Sequence, residues 1–322
     1  MEFRILGPTE VLLDGAPVPL PKGRGRTLLG VLLLRAGEVV STDRLIDALW
    51  GATPPATVHT ALQGHVSKLR RRLEPQRRKE EPHAVLLTRH PGYLLPVEPG
   101  QIDAHRFRRL VAEADETSPD RAAVLLRAAL DMWRGPALVD FVYEPFAQHA
   151  IAELEELRLA AVEKRIEADL ALGRHQDVIG DLEALVAEQP MRERACELLM
   201  LALYRAGRQT QALEVFADAR LVLREQLGLD PAPALQRLES LILRQDPALD
   251  LDPTPPLATT AATQWLRAER KTVTVLSLDA AVSTGAGGDP DPETARRILR
   301  GFLAEAARRG HRSRRDGAEG GR

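Results

Sequence analysis

Residues 57–73 constrain the fold most strongly, because their apolar side chains recur at the spacing of an amphipathic helix. The residues that would form the buried face are Val58, Leu62, Val66, Leu69 and Leu73. The opposite face is polar and basic, and residues 60–79 hold seven Lys or Arg against one acidic residue, Glu74. A chain with this helix must bury its apolar face against neighbouring elements and expose its basic face.

The elements around this helix predict a winged helix-turn-helix. Ser41 is a helix cap before a helix over residues 44–50, and residues 51–56 form the loop that leads to the basic helix. Segments on both sides of a Pro91-Gly92 turn predict a β-hairpin, the wing. Earlier in the chain we expect strands at residues 3–6, 11–13 and 18–20 and a helix at residues 26–35. A capped helix, a second helix and then a hairpin is the order of a DNA-binding winged helix.

The basic face of the helix at residues 57–73 suits contact with double-stranded DNA. Short polar side chains let the backbone approach base edges in the major groove, and the cations that follow can neutralise phosphates. The candidates for base contact are Thr60, Gln63, Ser67, Lys68 and Arg71. The candidates for phosphate contact are Lys22, Arg24, Arg70, Arg72, Arg77 and Arg89. The alternative, a solvated cationic face without a ligand, is disfavoured by the surrounding winged-helix order.

Residues 101–246 are predicted to be helical throughout. A weak repeat has a period of 34 residues: Leu172-Gly173-Arg174 matches Ala206-Gly207-Arg208, and Ile179 matches Leu213. This period is typical of tetratricopeptide repeats, in which antiparallel helix pairs stack. Within the long helical pattern at residues 144–172, a set of acidic residues is predicted to form an exposed face: Glu153, Glu155, Glu156, Glu163 and Glu167.

The formal charge differs in sign between the two predicted domains. Residues 1–100 carry 14 Lys and Arg against 10 Asp and Glu, whereas residues 101–250 carry 18 against 27. This distribution favours contact between the first domain and a polyanion. We therefore expect an α+β winged helix-turn-helix domain at residues 1–98, followed by an all-α tetratricopeptide-like domain at residues 101–246.

The rest of the chain predicts a linker and an incomplete third unit. Residues 247–269 are rich in Pro, Thr and Ala, as linkers are. Residues 270–322 contain one predicted strand and one predicted helix, too few elements to close a core. The strand resembles the opening strand of class III nucleotidyl cyclases, in which the Asp at the position of Asp279 binds a metal. Because no second metal carboxylate follows, we expect a truncated remnant that is partly disordered.

Motifs spread over residues 1–250 resemble the Streptomyces antibiotic regulatory protein (SARP) family. The matching segments are residues 3–8, 41–50, 60–73, 92–95, 103–107, 130–138 and 229–231. The resemblance implies an OmpR-like winged helix joined to a bacterial transcriptional activation domain. It also implies a dimer that binds direct repeats head to tail and recruits RNA polymerase. By the same similarity, the loop between the two helices faces polymerase through Gly51, Thr53, Pro54 and Pro55.

Composition narrows the remaining classes of function. A single cysteine, Cys196, excludes a disulfide framework, and no histidine spacing predicts a metal site or other cofactor. The longest apolar run, residues 28–34, is too short to span a bilayer. Our hypothesis is a cytoplasmic, nucleoid-associated and non-enzymatic activator of secondary-metabolite genes. The alternatives are a tetratricopeptide-like interaction scaffold and a nucleotidyl cyclase that uses Asp279, while a repressor would share the same DNA chemistry.

Overall fold

Two small antiparallel sheets and three helices form the first part of the structure, a computed structural model that describes residues 1–78 and 80–251. The sheets have the strand orders β1-β2-β3 and β4-β6-β5. The strands are β1 (Glu2–Arg4), β2 (Glu10–Leu13), β3 (Ala16–Pro17), β4 (Val39–Ser41), β5 (Leu87–Arg89) and β6 (Gly92–Leu94). The helices are α1 (Arg24–Leu34), α2 (Thr42–Trp50) and α3 (Val58–Leu73).

Helices α2 and α3 confirm the predicted helix-turn-helix. The Ser41 side chain accepts a hydrogen bond from the Arg44 amide at 3.3 Å and so caps α2. Of the predicted apolar face of α3, only Val58 is half-buried, and the other four residues are buried. The predicted strand at residues 18–20 is wrong, since the third strand is Ala16–Pro17. Pro19 has no N–H to donate to a sheet, so the ladder does not continue through it.

The predicted hairpin is present as β5 and β6, and a strand that the sequence did not predict, β4, extends it to a three-stranded sheet. Strand β6 pairs on one side with β5 and on the other with β4, where Val40 faces Tyr93. Gly92 lies inside β6, and a Cβ on it would fall 1.9 Å from the Val40 carbonyl oxygen. Only glycine allows this approach. Gly92, which the sequence predicted as part of the turn, therefore allows β6 to pair with β4.

The second part of the structure consists of seven helices. They are α4 (Asp103–Asp115), α5 (Pro119–Leu130), α6 (Gln148–Ala171), α7 (His175–Glu188), α8 (Glu193–Arg205), α9 (Gln209–Leu227) and α10 (Pro233–Arg244). Gly173 and Gly207 end α6 and α8 with φ values of +78° and +76°, a region that favours glycine. The next amide in each turn, Arg174 or Arg208, donates to a helix carbonyl at 2.9 or 2.8 Å. These equivalent turns, 34 residues apart, confirm the predicted repeat.

One apolar core runs from the winged helix into the first helices of the second part. It joins Phe3, Leu28 and Leu62 to Phe107 and Phe141, and a second core begins at Ile166. The predicted domain boundary at residues 98–101 therefore lies within a continuous apolar cluster. None of the described helices is long and apolar enough to cross a membrane.

A buried carboxylate fixes this junction. Asp103, 1% exposed, accepts hydrogen bonds from the amides of Ile5 at 2.8 and 3.0 Å, Leu6 at 3.1 Å and Ala104 at 2.8 Å. Arg134 adds a contact at 3.4 Å. Burial raises the pKa of Asp103, against the opposing effect of these donors. Asp103, the first residue of α4, thus binds the backbone that follows β1 to the second part of the structure.

Two predictions about the second part are corrected. Glu163, predicted on an exposed face, is buried and accepts hydrogen bonds from Arg192 Nε at 2.6 Å and Nη2 at 3.1 Å. The first residues of the predicted linker pack on the helices, because Leu249 is buried and its carbonyl accepts from Arg205 Nε at 2.8 Å. The rest of that linker, residues 270–322 and Asp279 lie outside the described residues.

Candidate nucleic-acid interface

Helix α3 brings the predicted base-contact residues together on its exposed side. All five of them are exposed: Thr60, Gln63, Ser67, Lys68 and Arg71. Their spacing along the helix places them opposite the buried face at Leu62, Val66 and Leu69. The buried face fixes the orientation of α3 in the domain, so the polar face must point outward.

An open groove of about 600 Å³ runs between this side of α3 and the segment before α1. Its lining residues are Pro21, Lys22, His65, Lys68, Arg71 and Arg72. Three cations of α3 and one from a distant part of the chain therefore face the same space. Such a concentration of positive charge suits a phosphate backbone.

Five cations at and around the groove have no hydrogen bond or ion pair from their side chains within residues 1–78 and 80–251. They are Lys22, Lys68, Arg71, Arg72 and, on the wing, Arg89. All five are exposed. Because no carboxylate of the described chain neutralises them, their charge is available to an anionic ligand.

Glu74, the one acidic residue among residues 60–79, is bonded to the loop that leads to the wing. Its carboxylate accepts hydrogen bonds from the amides of Ala84 at 2.6 Å and Val85 at 2.9 Å, and His83 Nδ1 lies 2.6 Å away. Burial opposes ionisation, but the hydrogen bonds outweigh burial and lower the pKa of Glu74. Glu74 therefore stabilises the loop between α3 and the wing. Its negative charge is used there and does not neutralise the cations on the exposed face of α3.

The side chain of Arg70, one of the predicted phosphate contacts, is bonded to the wing. Its Nε donates to the Leu86 carbonyl at 2.9 Å and its Nη2 to Thr88 Oγ1 at 2.9 Å. The guanidinium also lies 5.9 Å from the centre of the Tyr93 ring. Burial lowers the pKa of this half-buried arginine. Arg70 therefore positions the wing against α3, and its phosphate contact stays a prediction.

Two further phosphate candidates are partly engaged by the protein. Arg24 Nε donates to the Leu49 carbonyl at 3.0 Å, and its guanidinium lies 5.5 Å from the centre of the Trp50 ring. Arg77 donates from Nη1 to the Glu81 carbonyl. Arg24 and Arg77 therefore each have a partner within the protein, and their phosphate contacts stay predictions.

His65 is a groove residue that the sequence analysis missed. Its ring lies 5.9 Å from that of Trp50, between the groove and α2. Burial lowers the pKa of His65, and the nearby charges of Lys68 and Arg24 lower it further, which favours the neutral imidazole. Its position beside Val66, on the edge of the apolar face, was the available signal.

The loop between α2 and α3 is exposed at each predicted polymerase-contact residue: Gly51, Thr53, Pro54 and Pro55. The tip of the wing is exposed as well, at Arg89, His90 and Pro91. Thr42 ties this tip to α2, because its amide and its Oγ1 both donate to the Pro91 carbonyl at 3.1 Å. The loop and the wing thus flank α3 on a connected scaffold.

A capped helix, an outward-facing cationic helix and a wing define a winged helix-turn-helix domain, here followed by tetratricopeptide-like helix pairs. Two family models match the same regions. "Transcriptional regulatory protein, C terminal" matches residues 16–95, and "Bacterial transcriptional activator domain" matches residues 102–243.

Named relatives match about three quarters of this chain. The chain is 41% identical over 252 residues to the transcriptional regulator RedD of Streptomyces coelicolor, covering 77% of this chain and 72% of RedD. It is 39% identical over 257 residues to the regulatory protein DnrI of Streptomyces peucetius, covering 78% and 94%. The chain therefore belongs to the SARP family of transcriptional regulators.

A solved structure has a similar fold. Mycobacterium tuberculosis EmbR, solved in complex with a low-affinity phosphopeptide, superposes with a TM-score of 0.72 at 34% identity. The match covers 76% of this chain and 65% of the EmbR chain, so this chain spans about two thirds of that structure.

Proposed function

We propose that this regulator binds promoter DNA through the exposed face of α3 and activates genes of secondary metabolism. The observation that carries the proposal is the set of exposed cations around the groove, which have no partner in residues 1–78 and 80–251. A structural role for these side chains would require contacts with the fold. Their exposure, on α3 and on the segments beside it, supports an external polyanion instead.

The contacts divide into two kinds. Five residues of α3 contact base edges in the major groove: Thr60, Gln63, Ser67, Lys68 and Arg71. The phosphate contacts come from Lys22, Arg24, Arg72, Arg77 and Arg89, which surround α3 from the segment before α1 to the wing. Arg70 holds the wing in place for these contacts.

The remaining parts of the proposal concern partners. Two copies bind direct repeats as a homodimer, and the exposed loop at residues 51–56 contacts RNA polymerase, as the family membership suggests. The protein acts at the nucleoid in the cytoplasm. We assign it no catalytic step and no cofactor, consistent with relatives that are named as regulators.

Selection of genomic fragments by the full chain tests the proposal. The protein is compared with Lys68→Ala/Arg71→Ala at near-physiological salt, because charge alone binds DNA at low salt. The matched control, Arg237→Ala/Arg244→Ala, removes the same charge from exposed residues of α10. Both cations of the control lack a side-chain partner in the described part of the chain.

We expect the native protein and the α10 control to recover a repeated motif, and the α3 variant to recover none. Equal recovery without a motif by all three proteins would contradict sequence recognition by α3. It would favour the interaction scaffold, in which the tetratricopeptide-like helices bind a protein.

A further inference from the structure

Helix α3 contains a glycine, Gly64, at the middle of its exposed face. A Cβ built on it meets no atom of the described residues within 4 Å. Glycine inside a helix lowers helix stability relative to alanine, because it loses more backbone freedom on folding. The described fold therefore has no steric need for glycine here and is less stable for having it.

Two other helical glycines, in contrast, are required by packing within the protein. A Cβ on Gly25 would lie 2.6 Å from the Pro21 Cβ, and one on Gly30 would lie 2.7 Å from the Phe141 ring. Both positions are in α1, where neighbouring groups occupy the space of a side chain. Gly64 has no such neighbour, so the described part of the chain gives no packing reason for glycine at this position.

The neighbours of Gly64 indicate what approaches from outside. Thr60 and Lys68 lie one turn before and one turn after it, and Gln63 and Ser67 flank it on the same exposed side. Lys68 and Arg71 extend into the cationic groove. The glycine is thus the lowest point of a surface whose rim is cationic.

We infer that Gly64 is the point of closest approach between α3 and DNA, where the helix backbone itself packs against base edges in the major groove. The inference rests on the proposed function and adds a specificity-determining residue to it. The missing Cβ lets α3 sit deeper in the groove than any side chain would allow. That depth sets which base edges Gln63, Ser67 and Lys68 can reach.

A side chain at this position would therefore affect base contacts and phosphate contacts differently. Hydrogen bonds to base edges weaken steeply with distance and angle, so lifting the helix by the width of a methyl group disrupts them. Phosphate contacts come from long, flexible Lys and Arg side chains that can follow the backbone. Specific affinity falls, while nonspecific affinity and its dependence on salt stay the same.

The test uses Gly64→Ala and Gly64→Val in the full chain. The matched control is Gly180→Ala in α7, where a Cβ also meets no atom of the described chain within 4 Å. Gly180 is exposed on an acidic surface beside Asp177 and Asp181, which cannot attract DNA. Urea denaturation measures stability. Fluorescence anisotropy measures affinity for a fragment selected by the native protein and for a random duplex over a range of salt concentrations.

Both alanine variants should raise the ratio of folded to unfolded protein, by about fourfold. Only Gly64→Ala should lose affinity for the selected fragment, by about tenfold, the effect of losing one base contact. Gly64→Val should lose more. A stabilised protein that recognises its site less well cannot be explained by misfolding.

The inference is overturned if Gly64→Ala binds the selected fragment as tightly as the native protein. It is also overturned if specific and nonspecific affinity fall together. When Lys68→Ala/Arg71→Ala loses the motif but Gly64→Ala keeps it, the closest-approach inference alone fails. When the native protein selects no motif, the proposed function fails and the inference fails with it.

Discussion

Arg192 and Arg71 are both arginines at the surface of a helical element, but their surroundings differ. Arg192, at the start of α8, donates from Nε to Glu163 at 2.6 Å and from Nη1 to Glu156 at 2.8 Å. The bonds to these two glutamates raise the pKa of Arg192 above the ordinary arginine value. Arg71 of α3 is exposed and has no side-chain partner within residues 1–78 and 80–251.

The difference extends to the two regions as a whole. In the helical region, carboxylates outnumber cations, and one buried carboxylate, Asp169, contacts Arg127, Arg165 and Arg174. Around α3 the only acid of residues 60–79, Glu74, is committed to the loop behind the helix. The role of an arginine in this protein is therefore set by the carboxylates that the fold brings to it.

The largest effect is expected where a carboxylate joins the two regions. Asp103→Ala leaves the Ile5 and Leu6 amides without their acceptor and should lower the free energy of unfolding by about 3–5 kcal/mol. Asp115→Ala, in the same helix, removes an exposed pair with Lys164 and should cost at most about 1 kcal/mol. Urea denaturation of both variants measures this. Equal losses would mean that the buried carboxylate does not fix the junction.

The comparison between the two arginines makes a reciprocal prediction. Arg192→Ala should lower the free energy of unfolding by about 2 kcal/mol, because Glu163 stays buried without its partner, and should not change DNA affinity. Arg71→Ala should leave stability within about 0.5 kcal/mol and weaken discrimination between DNA sites by about 1–3 kcal/mol. Denaturation and anisotropy titrations measure both quantities. Similar behaviour of the two variants would remove the distinction between the regions.

Glu74 should contribute to the dependence of the free energy of unfolding on pH. Folding lowers the pKa of Glu74, so its contribution is present above the pKa of the unfolded chain and is lost as pH falls through the folded value. Glu74→Gln should therefore reduce the loss of stability between pH 7 and about 3 by roughly 1 kcal/mol. The raised pKa of Asp103 acts in the opposite direction, but equally in both proteins. Identical pH profiles would show that Glu74 does not stabilise the loop.

The smallest effect is expected at the wing. Arg89→Ala removes one exposed cation and should weaken selected and random duplexes alike, reducing the slope of log K against log salt by about 0.9. Arg35→Ala, whose side chain pairs with Glu38 at 3.5 Å, is the control. An unchanged slope for Arg89→Ala would remove the wing from the phosphate contacts.

Much of α3 and its surroundings followed from local sequence. The apolar face repeats every three or four residues, and the Ser41 cap acts within one turn, so both were visible in short windows. The repeat of Gly173 and Gly207 was visible because each turn needs its own left-handed residue. The face of α3 that points outward was therefore predictable, although the DNA contacts themselves stay a prediction.

The features that were missed depend on residues distant in the chain. Strand β4 is three residues long, and its partner β6 begins about fifty residues later. Glu163 lies in an acidic pattern that predicts an exposed face, but Arg192 from another helix covers it. Arg70 was one cation among several until the wing placed Leu86 and Thr88 beside it. Periodicity cannot show such pairings.

The shared core affects how this protein could be redirected to another promoter. A winged helix cut out at residue 98 would lose Phe141 from the surface of α1, and Ile5 and Leu6 would lose Asp103. Residues 1–98 are thus a poor unit for transplantation, because their stability is partly supplied by the helices that follow. The outer side chains of α3 take no part in that core. Exchanging them in place, within the intact chain, is the change that this architecture tolerates.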